Sequence, residues 1–255
     1  MPSMDKKQNA SDTDQLIVNE LYASLQGEST FVGLPCVFVR LTACNLRCSY
    51  CDTSYAFAEG HPMGLDEILG KIESMARRAS PAGLSHKLPL VELTGGEPLL
   101  QPNSLVLMRE LCHRGYTVLL ETSGALDIGP VDPRVHRIMD IKCPASGESE
   151  RNRWENISLL RATDEVKFVI TSHEDYEWTK SCIAEHRIYN LCPILLSWAH
   201  PVPQTSVTSS LKPAPANHTP ITLRELADQI ISDALPVRFQ VQMHKVIWLS
   251  ESRGV

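Results

Sequence analysis

Apolar positions in this chain follow two periods. Short runs dense in Val, Ile, Leu and Phe alternate with longer stretches in which apolar residues recur every three or four positions. The runs at 36–41, 90–93, 118–120, 137–141, 166–170, 193–196 and 237–241 predict buried strands. Between them, 65–78 carries Leu65, Ile68, Leu69, Ile72 and Met75 at helical spacing, with Arg77 and Arg78 placed to suit the helix dipole. Residues 104–113 predict a helix with Ser104 as N-cap and Gly115 as stop. Further helices are predicted at 156–161, at 174–186 and, behind the cap residue Thr222, at 223–235. Leu16, Ile17 and Val18 open the first ordered segment.

Strands alternating with helices imply an α/β fold, a parallel sheet with helices on its outside. Without eight complete units, the expectation is an incomplete TIM-type barrel. Its functional groups should gather at the C-terminal ends of the strands. Residues 1–13 are polar and read as a disordered tail, with 14–255 as one domain. The Pro-, Ser- and Thr-rich stretch 200–220 reads as an irregular insertion or lid.

Composition narrows the class. At 255 residues with 43% hydrophobic content, the chain can bury one moderately large core. No run of about eighteen apolar residues occurs, so no membrane span is expected. A net charge of −6 argues against a nucleic-acid surface. Eight cysteines without a disulfide-like framework suit a reducing cytoplasm.

The candidate chemistry begins at Cys44, Cys48 and Cys51, spaced C-x3-C-x2-C directly after the run at 36–41. Three thiolates in so short a loop can hold three irons of a [4Fe–4S] cube and leave the fourth open. A structural zinc site would need a second Cys/His knuckle, and Cys36, Cys112, Cys143, Cys182 and Cys192 stand singly. Other polar groups follow predicted strands: Thr94-Gly95-Gly96-Glu97-Pro98, Glu121-Thr122-Ser123-Gly124 and Lys142-Cys143-Pro144. Two glycines at a strand end leave the backbone open to a ligand, since no Cβ blocks it. Polar turn residues alone would also explain such strings.

The cysteine triplet with Gly95-Gly96-Glu97-Pro98 resembles the radical S-adenosylmethionine (SAM) superfamily. That resemblance implies a [4Fe–4S] cluster on Cys44, Cys48 and Cys51. It implies SAM chelating the open iron and cleaved to a 5′-deoxyadenosyl radical. It also implies SAM contacts from Tyr50, Asp52, Gly95, Gly96, Glu97, Ser123, Lys142 and Cys143. The ordered strings Glu20 to Glu28, Gly33-Leu34-Pro35, Phe38 to Leu41, Cys44 to Thr53 and the His-Lys-containing 241–248 are similar to the 7-carboxy-7-deazaguanine synthase family. That likeness implies conversion of 6-carboxy-5,6,7,8-tetrahydropterin to 7-carboxy-7-deazaguanine and ammonia, on the route to queuosine and related deazapurines. It implies substrate contacts from Leu25, Gln26, Gly27, Glu28, Arg40 and Thr94, and Mg²⁺ held by Thr53. A flavodoxin or ferredoxin reductant and a homodimer are implied in the same way. Another radical SAM activity, glycyl-radical enzyme activation, shares both motifs.

Plainer uses exist for the same side chains. Arg40 could serve an ion pair, Glu28 a solvated turn, Thr53 a helix cap, and Cys143 a small buried hydrophobe. The spacing itself yields a test. Alanine at Cys44, Cys48 or Cys51 should abolish SAM cleavage, whereas alanine at Cys112 or Cys182 should not. A Cys48→Ala protein that still cleaves SAM on a cluster would contradict the ligand assignment.

Overall fold

The computed structural model describes residues 14–79, 85–200, 210–248 and 253–254. The tail at 1–13, part of the expected insertion (201–209) and Val255 lie outside the described residues. The first strand, β1 (Gln15–Leu25), pairs antiparallel with β2 (Pro35–Leu41) and with β3 (His61–Gly64). Helix α1 (Leu65–Ala76) leads to a small ribbon of β4 (Arg77–Ala79) and β5 (Ser85–Lys87). Then come β6 (Leu90–Gly95), α2 (Asn103–His113), β7 (Thr117–Thr122), β8 (His136–Asp140), β9 (Glu165–Ile170) and α3 (His173–Glu185). The series ends with β10 (Ile194–Trp198), α4 (Leu223–Ser232), β11 (Arg238–Gln240) and a short α5 (Met243–Ile247).

Nine strands form one sheet in the order β11-β10-β9-β8-β7-β6-β2-β1-β3. From β2 through β11 every neighbouring pair is parallel. β11 does not pair with β1 or β3, so the sheet is an open, incomplete barrel, as expected. The outer face is packed under helices in two clusters. One joins Val37, Val39, Val91, Leu93, Val118 and Leu120 to α1 and α2, and the other joins Val166, Phe168, Ile170 and Leu196 to α3 and α4.

The inner face differs along its height. Its base is apolar, made by Cys36, Phe38, Leu90, Leu119, Ile138 and Leu195. One step further along β2, β6, β7 and β8 stand Arg40, Glu92, Glu121 and Asp140, joined by Lys167 from β9. Parallel strands covered on both sides usually read as unbroken apolar runs. Here period-two alternation buries a charged layer beneath the strands' C-terminal ends.

Several local expectations change. Helix α1 stops at Ala76, and Arg77 turns into the ribbon while its guanidinium still pairs with Glu73 at 2.5 Å. The cap of α2 is Pro102, and Ser104 lies buried inside the first turn. The helix expected at 156–161 is a 3-10 segment, Trp154–Leu159, because the Asn156 amide turns inward to Gly124 O, Leu126 O and Ile128 N–H. Beyond the strand predicted at 237–241 lies the short α5, anchored where Met243 N–H donates to Gly27 O at 3.0 Å. Thr222 caps α4 in a full capping box with Glu225, as its spacing suggests.

The glycines at the end of β6 have a more specific use than open backbone. A Cβ on Gly95, which has φ +141°, would lie 2.2 Å from Leu41 O, and one on Gly96 would lie 2.1 Å from Ala43 O. Both strand-end glycines therefore admit the chain that leads into Cys44. Gly70, inside α1, has nothing within 4 Å of where a methyl group would sit. Gly70→Ala should thus stabilise the fold by about 0.5–1 kcal/mol. Gly96→Ala should destabilise it by about 1–3 kcal/mol through overpacking against backbone. Urea midpoints of the two variants, moving in opposite directions, check this.

Candidate functional site

The C-terminal ends of the parallel strands open into a cleft of about 870 Å³, measured out to its mouth. Cys44, Cys48 and Cys51 line one wall together with Tyr50, Asp52 and Thr53. Thr94, Gly95, Gly96, Ser123 and Lys142 line it from the neighbouring strand ends. Glu121, Asp140 and Lys167 reach it from the charged layer, and Gln242 and Lys245 close it from the C-terminal segment.

The cysteine loop has little regular structure, so its shape is set by neighbours. Leu46 is buried and donates its N–H to Cys44 Sγ at 3.4 Å. Ser49 donates from N–H to Ser146 O at 3.0 Å and from Oγ to Ala145 O at 2.6 Å. The turn at 143–146 is in turn held by buried Asp175, which accepts from Ala145 N–H at 2.9 Å. On the other side Glu97 N–H donates to Ala43 O at 2.8 Å.

The donors suit an iron–sulfur cluster. Among the described residues no three His, Cys, Asp or Glu side chains converge on a point fit for a single metal ion. A cube offers each thiolate its own iron and does not need that convergence. Burial pushes the Cys48 thiol up to about 11 against the pull of the Lys142 ammonium, and burial also raises Cys44 and Cys51. Loading must release these protons, and the Lys142 ammonium, reaching the cleft from a neighbouring strand end, favours the thiolates. Among the described residues, two buried oxygens of this cleft, Tyr50 Oη and Asp140 Oδ1, find no partner. Such groups are rare in a settled interior and suit a bound ligand with matching donors.

The residues expected around SAM divide into two sets. Tyr50, Asp52, Gly95, Gly96, Ser123 and Lys142 line the cleft. Glu97 and Cys143 lie behind it. The Glu97 carboxylate is fully buried and accepts from Ser123 N–H (2.7 Å), Ser123 Oγ (2.6 Å), Thr122 Oγ1 (2.9 Å) and Leu99 N–H (3.0 Å). It therefore braces Ser123. Cys143 Sγ is buried against Thr179 Oγ1 at 3.5 Å.

The residues expected around substrate are similarly divided. Thr94 and Thr53 line the cleft, and the Thr53 hydroxyl makes no cap bond to the 3-10 turn Ser54–Phe57. Arg40 lies one layer back. Its Nε donates to Glu20 at 2.7 Å and its Nη2 to Tyr22 Oη at 2.9 Å. Leu25 ends β1, and Gln26, Gly27 and Glu28 follow under the C-terminal segment. The Gln26 amide donates to Glu92 and accepts from Glu28 N–H at 2.7 Å. The His244 ring packs onto Gly27, where a Cβ would fall 2.4 Å from Nδ1.

Glu28 sits in a buried ion chain that the sequence motifs do not announce. Lys167 Nζ bridges Glu28 at 2.9 Å and Glu121 at 3.2 Å, and Gln242 donates to the other Glu28 oxygen at 2.8 Å. Burial would raise the Glu28 carboxyl, but the Lys167 ammonium, the Gln242 hydrogen bond and His244 together outweigh it and hold the group below its usual range. Burial and the Glu121 charge push the Glu92 carboxyl well above the usual range, and it accepts from the Gln26 amide. Asp52 is brought down to about 2: burial opposes ionisation there, and the ion pair with Lys245 overcomes it. A signal for Glu92 and Lys167 exists in the sequence, as single charges inside otherwise apolar strands.

Comparison with known proteins agrees with this geometry. Residues 39–185 match the family model for the radical SAM superfamily. A 7-carboxy-7-deazaguanine synthase from Koribacter versatilis is 42% identical, over 93% of this chain and 99% of its own. The enzyme of that name from Chlorobaculum tepidum is also 42% identical, over 94% and 97%. The crystal structure of QueE from Escherichia coli superposes with a TM-score of 0.62 at 21% identity, covering 90% of this chain and 95% of that one.

The Glu97 brace is open to measurement. Glu97→Gln turns one acceptor oxygen into a donor facing the Ser123 N–H and Oγ. It should cost about 1–3 kcal/mol of stability and weaken SAM binding several-fold. Unchanged denaturation and SAM affinity would remove the bracing role.

Proposed function

The chain belongs to the 7-carboxy-7-deazaguanine synthase family of the radical SAM superfamily, and on that premise we propose that it converts 6-carboxy-5,6,7,8-tetrahydropterin to 7-carboxy-7-deazaguanine and ammonia. The observation that carries the reading is the cleft in which the three cysteines of one loop face a buried charged layer. When bound, a [4Fe–4S] cluster together with SAM would supply the radical chemistry. Cys44, Cys48 and Cys51 hold the cluster. Tyr50, Asp52, Gly95, Gly96, Ser123 and Lys142 orient SAM, with Glu97 and Cys143 supporting them from behind.

The remaining residues handle a polar, carboxylated bicycle. Arg40 offers a planar fork to the substrate carboxylate, exchanging its Glu20 contact for it. Thr53, whose hydroxyl makes no cap bond, would offer an oxygen to Mg²⁺, a hard cation that would favour the bound carboxylate. Thr94 and the 25–28 segment meet the ring edge. Glu28, held ionised by Lys167 and Gln242, keeps an acceptor there. A flavodoxin or ferredoxin as electron donor, a homodimeric assembly and a cytoplasmic location belong to the same reading. Among the described residues no helix is long and apolar enough to cross a membrane.

The test is anaerobic turnover. Reconstituted protein with SAM, dithionite and the carboxytetrahydropterin should form 7-carboxy-7-deazaguanine, and failure to form it with an intact cluster would refute the function. Arg40→Lys keeps the charge and loses the fork. It should raise KM at least about tenfold, the loss of one charged hydrogen bond, at unchanged iron and sulfide per chain. An unchanged KM would leave Arg40 as the structural partner of Glu20.

A further inference from the structure

Arg47 stands between two of the cluster cysteines, and both of its backbone groups are tied. Its N–H donates to Glu148 Oε1 at 2.7 Å. Its carbonyl accepts from the Lys212 N–H at 2.9 Å. The two residues that hold it also hold each other, with Lys212 Nζ 2.9 Å from Glu148 Oε2. The same ammonium donates to Gly147 O at 2.6 Å, and Gly147 has φ +72°. Glu148 is 4% exposed, whereas the Lys212 side chain is 46% exposed. The carboxylate is therefore fixed and buried, while its partner is half in solvent and partly screened.

We infer that Glu148 and Lys212 are positioning residues that clamp the cysteine loop and, as an unequally buried charge pair, set the reduction potential of the cluster it holds. The inference rests on the cluster reading of Cys44, Cys48 and Cys51. Reducing a [4Fe–4S] cluster adds one negative charge. A buried carboxylate on the loop's own amide opposes that charge, and an ammonium favours it. On the cleft side Lys142 and Asp140 face the thiols as one ammonium and one carboxylate 2.8 Å apart, two charges that largely offset each other there.

The two halves of the clamp make opposite predictions. Glu148→Gln keeps an acceptor for the Arg47 N–H but removes the charge. Its one-electron equilibrium should move about tenfold toward the reduced cluster, ~59 mV upward. Lys212→Met leaves Glu148 uncompensated, and its equilibrium should move the other way. Glu148→Ala removes the acceptor as well, and should release iron to a chelator several-fold faster than Glu148→Gln does. The measurements are EPR-monitored redox titration and chelator-trapped iron release on reconstituted full-length protein.

Shifts of opposite sign, with the faster iron loss in Glu148→Ala, establish the clamp. Potentials unchanged in both charge variants, or moved in the same direction as mere loosening would move them, overturn it. A wild-type protein that takes up no cluster would instead refute the reading on which the inference stands.

Discussion

The site depends on one close approach, the passage of the chain from Leu41 to Cys44 across Gly95 and Gly96. Carbonyl oxygens of Leu41 and Ala43 lie where side chains at those two positions would begin. Backbone bonds use the same contact, since Gly96 N–H donates to Leu41 O and Glu97 N–H to Ala43 O. The end of β6 and the start of the cysteine loop are thus one unit. Glu97 extends it to β7 through Ser123, and Ser49 extends it to the turn after β8. Three strand ends brace a loop with little secondary structure of its own.

The second constraint is the buried charged layer. Unpaired charges would be costly there, and pairing makes them tolerable while fixing geometry. Lys167 joins Glu28 and Glu121 across the barrel interior, which ties the loop after β1 to β7 and β9. The open seam between β11 and β1 is bridged by polar contacts: Gln240 bonds both backbone groups of Ser29, and Glu165 accepts from Thr30. Segment 242–245 then crosses to Asp52 beside the cysteines. The barrel is incomplete in hydrogen bonds between strands but continuous in side-chain contacts.

Much of this is legible in the chain. Strand runs such as 166–170 and the Thr222 cap are plain because periodicity and capping are local. The cysteine spacing is plain because it is short. Non-local features are hidden. The 3-10 turn at Trp154–Leu159 follows from an Asn156 amide reaching residues 124–128, which no local propensity encodes. Of the 11-residue β1 only Leu16–Val18 stands out in the sequence, since its polar positions Asn19, Glu20 and Ser24 interrupt the apolar run. Glu92 and Lys167 look like flaws in apolar strands, and become intelligible only beside Gln26, Glu28 and Glu121.

The central claim is that the loop of Cys44, Cys48 and Cys51 holds a [4Fe–4S] cluster whose fourth iron faces the cleft. Low-temperature EPR of the reduced, reconstituted protein, before and after adding SAM, addresses it most directly. The account predicts an S = 1/2 [4Fe–4S]⁺ signal whose g-values change when SAM binds the open iron. A protein that takes up zinc in place of iron, or a cluster signal indifferent to SAM, would contradict it.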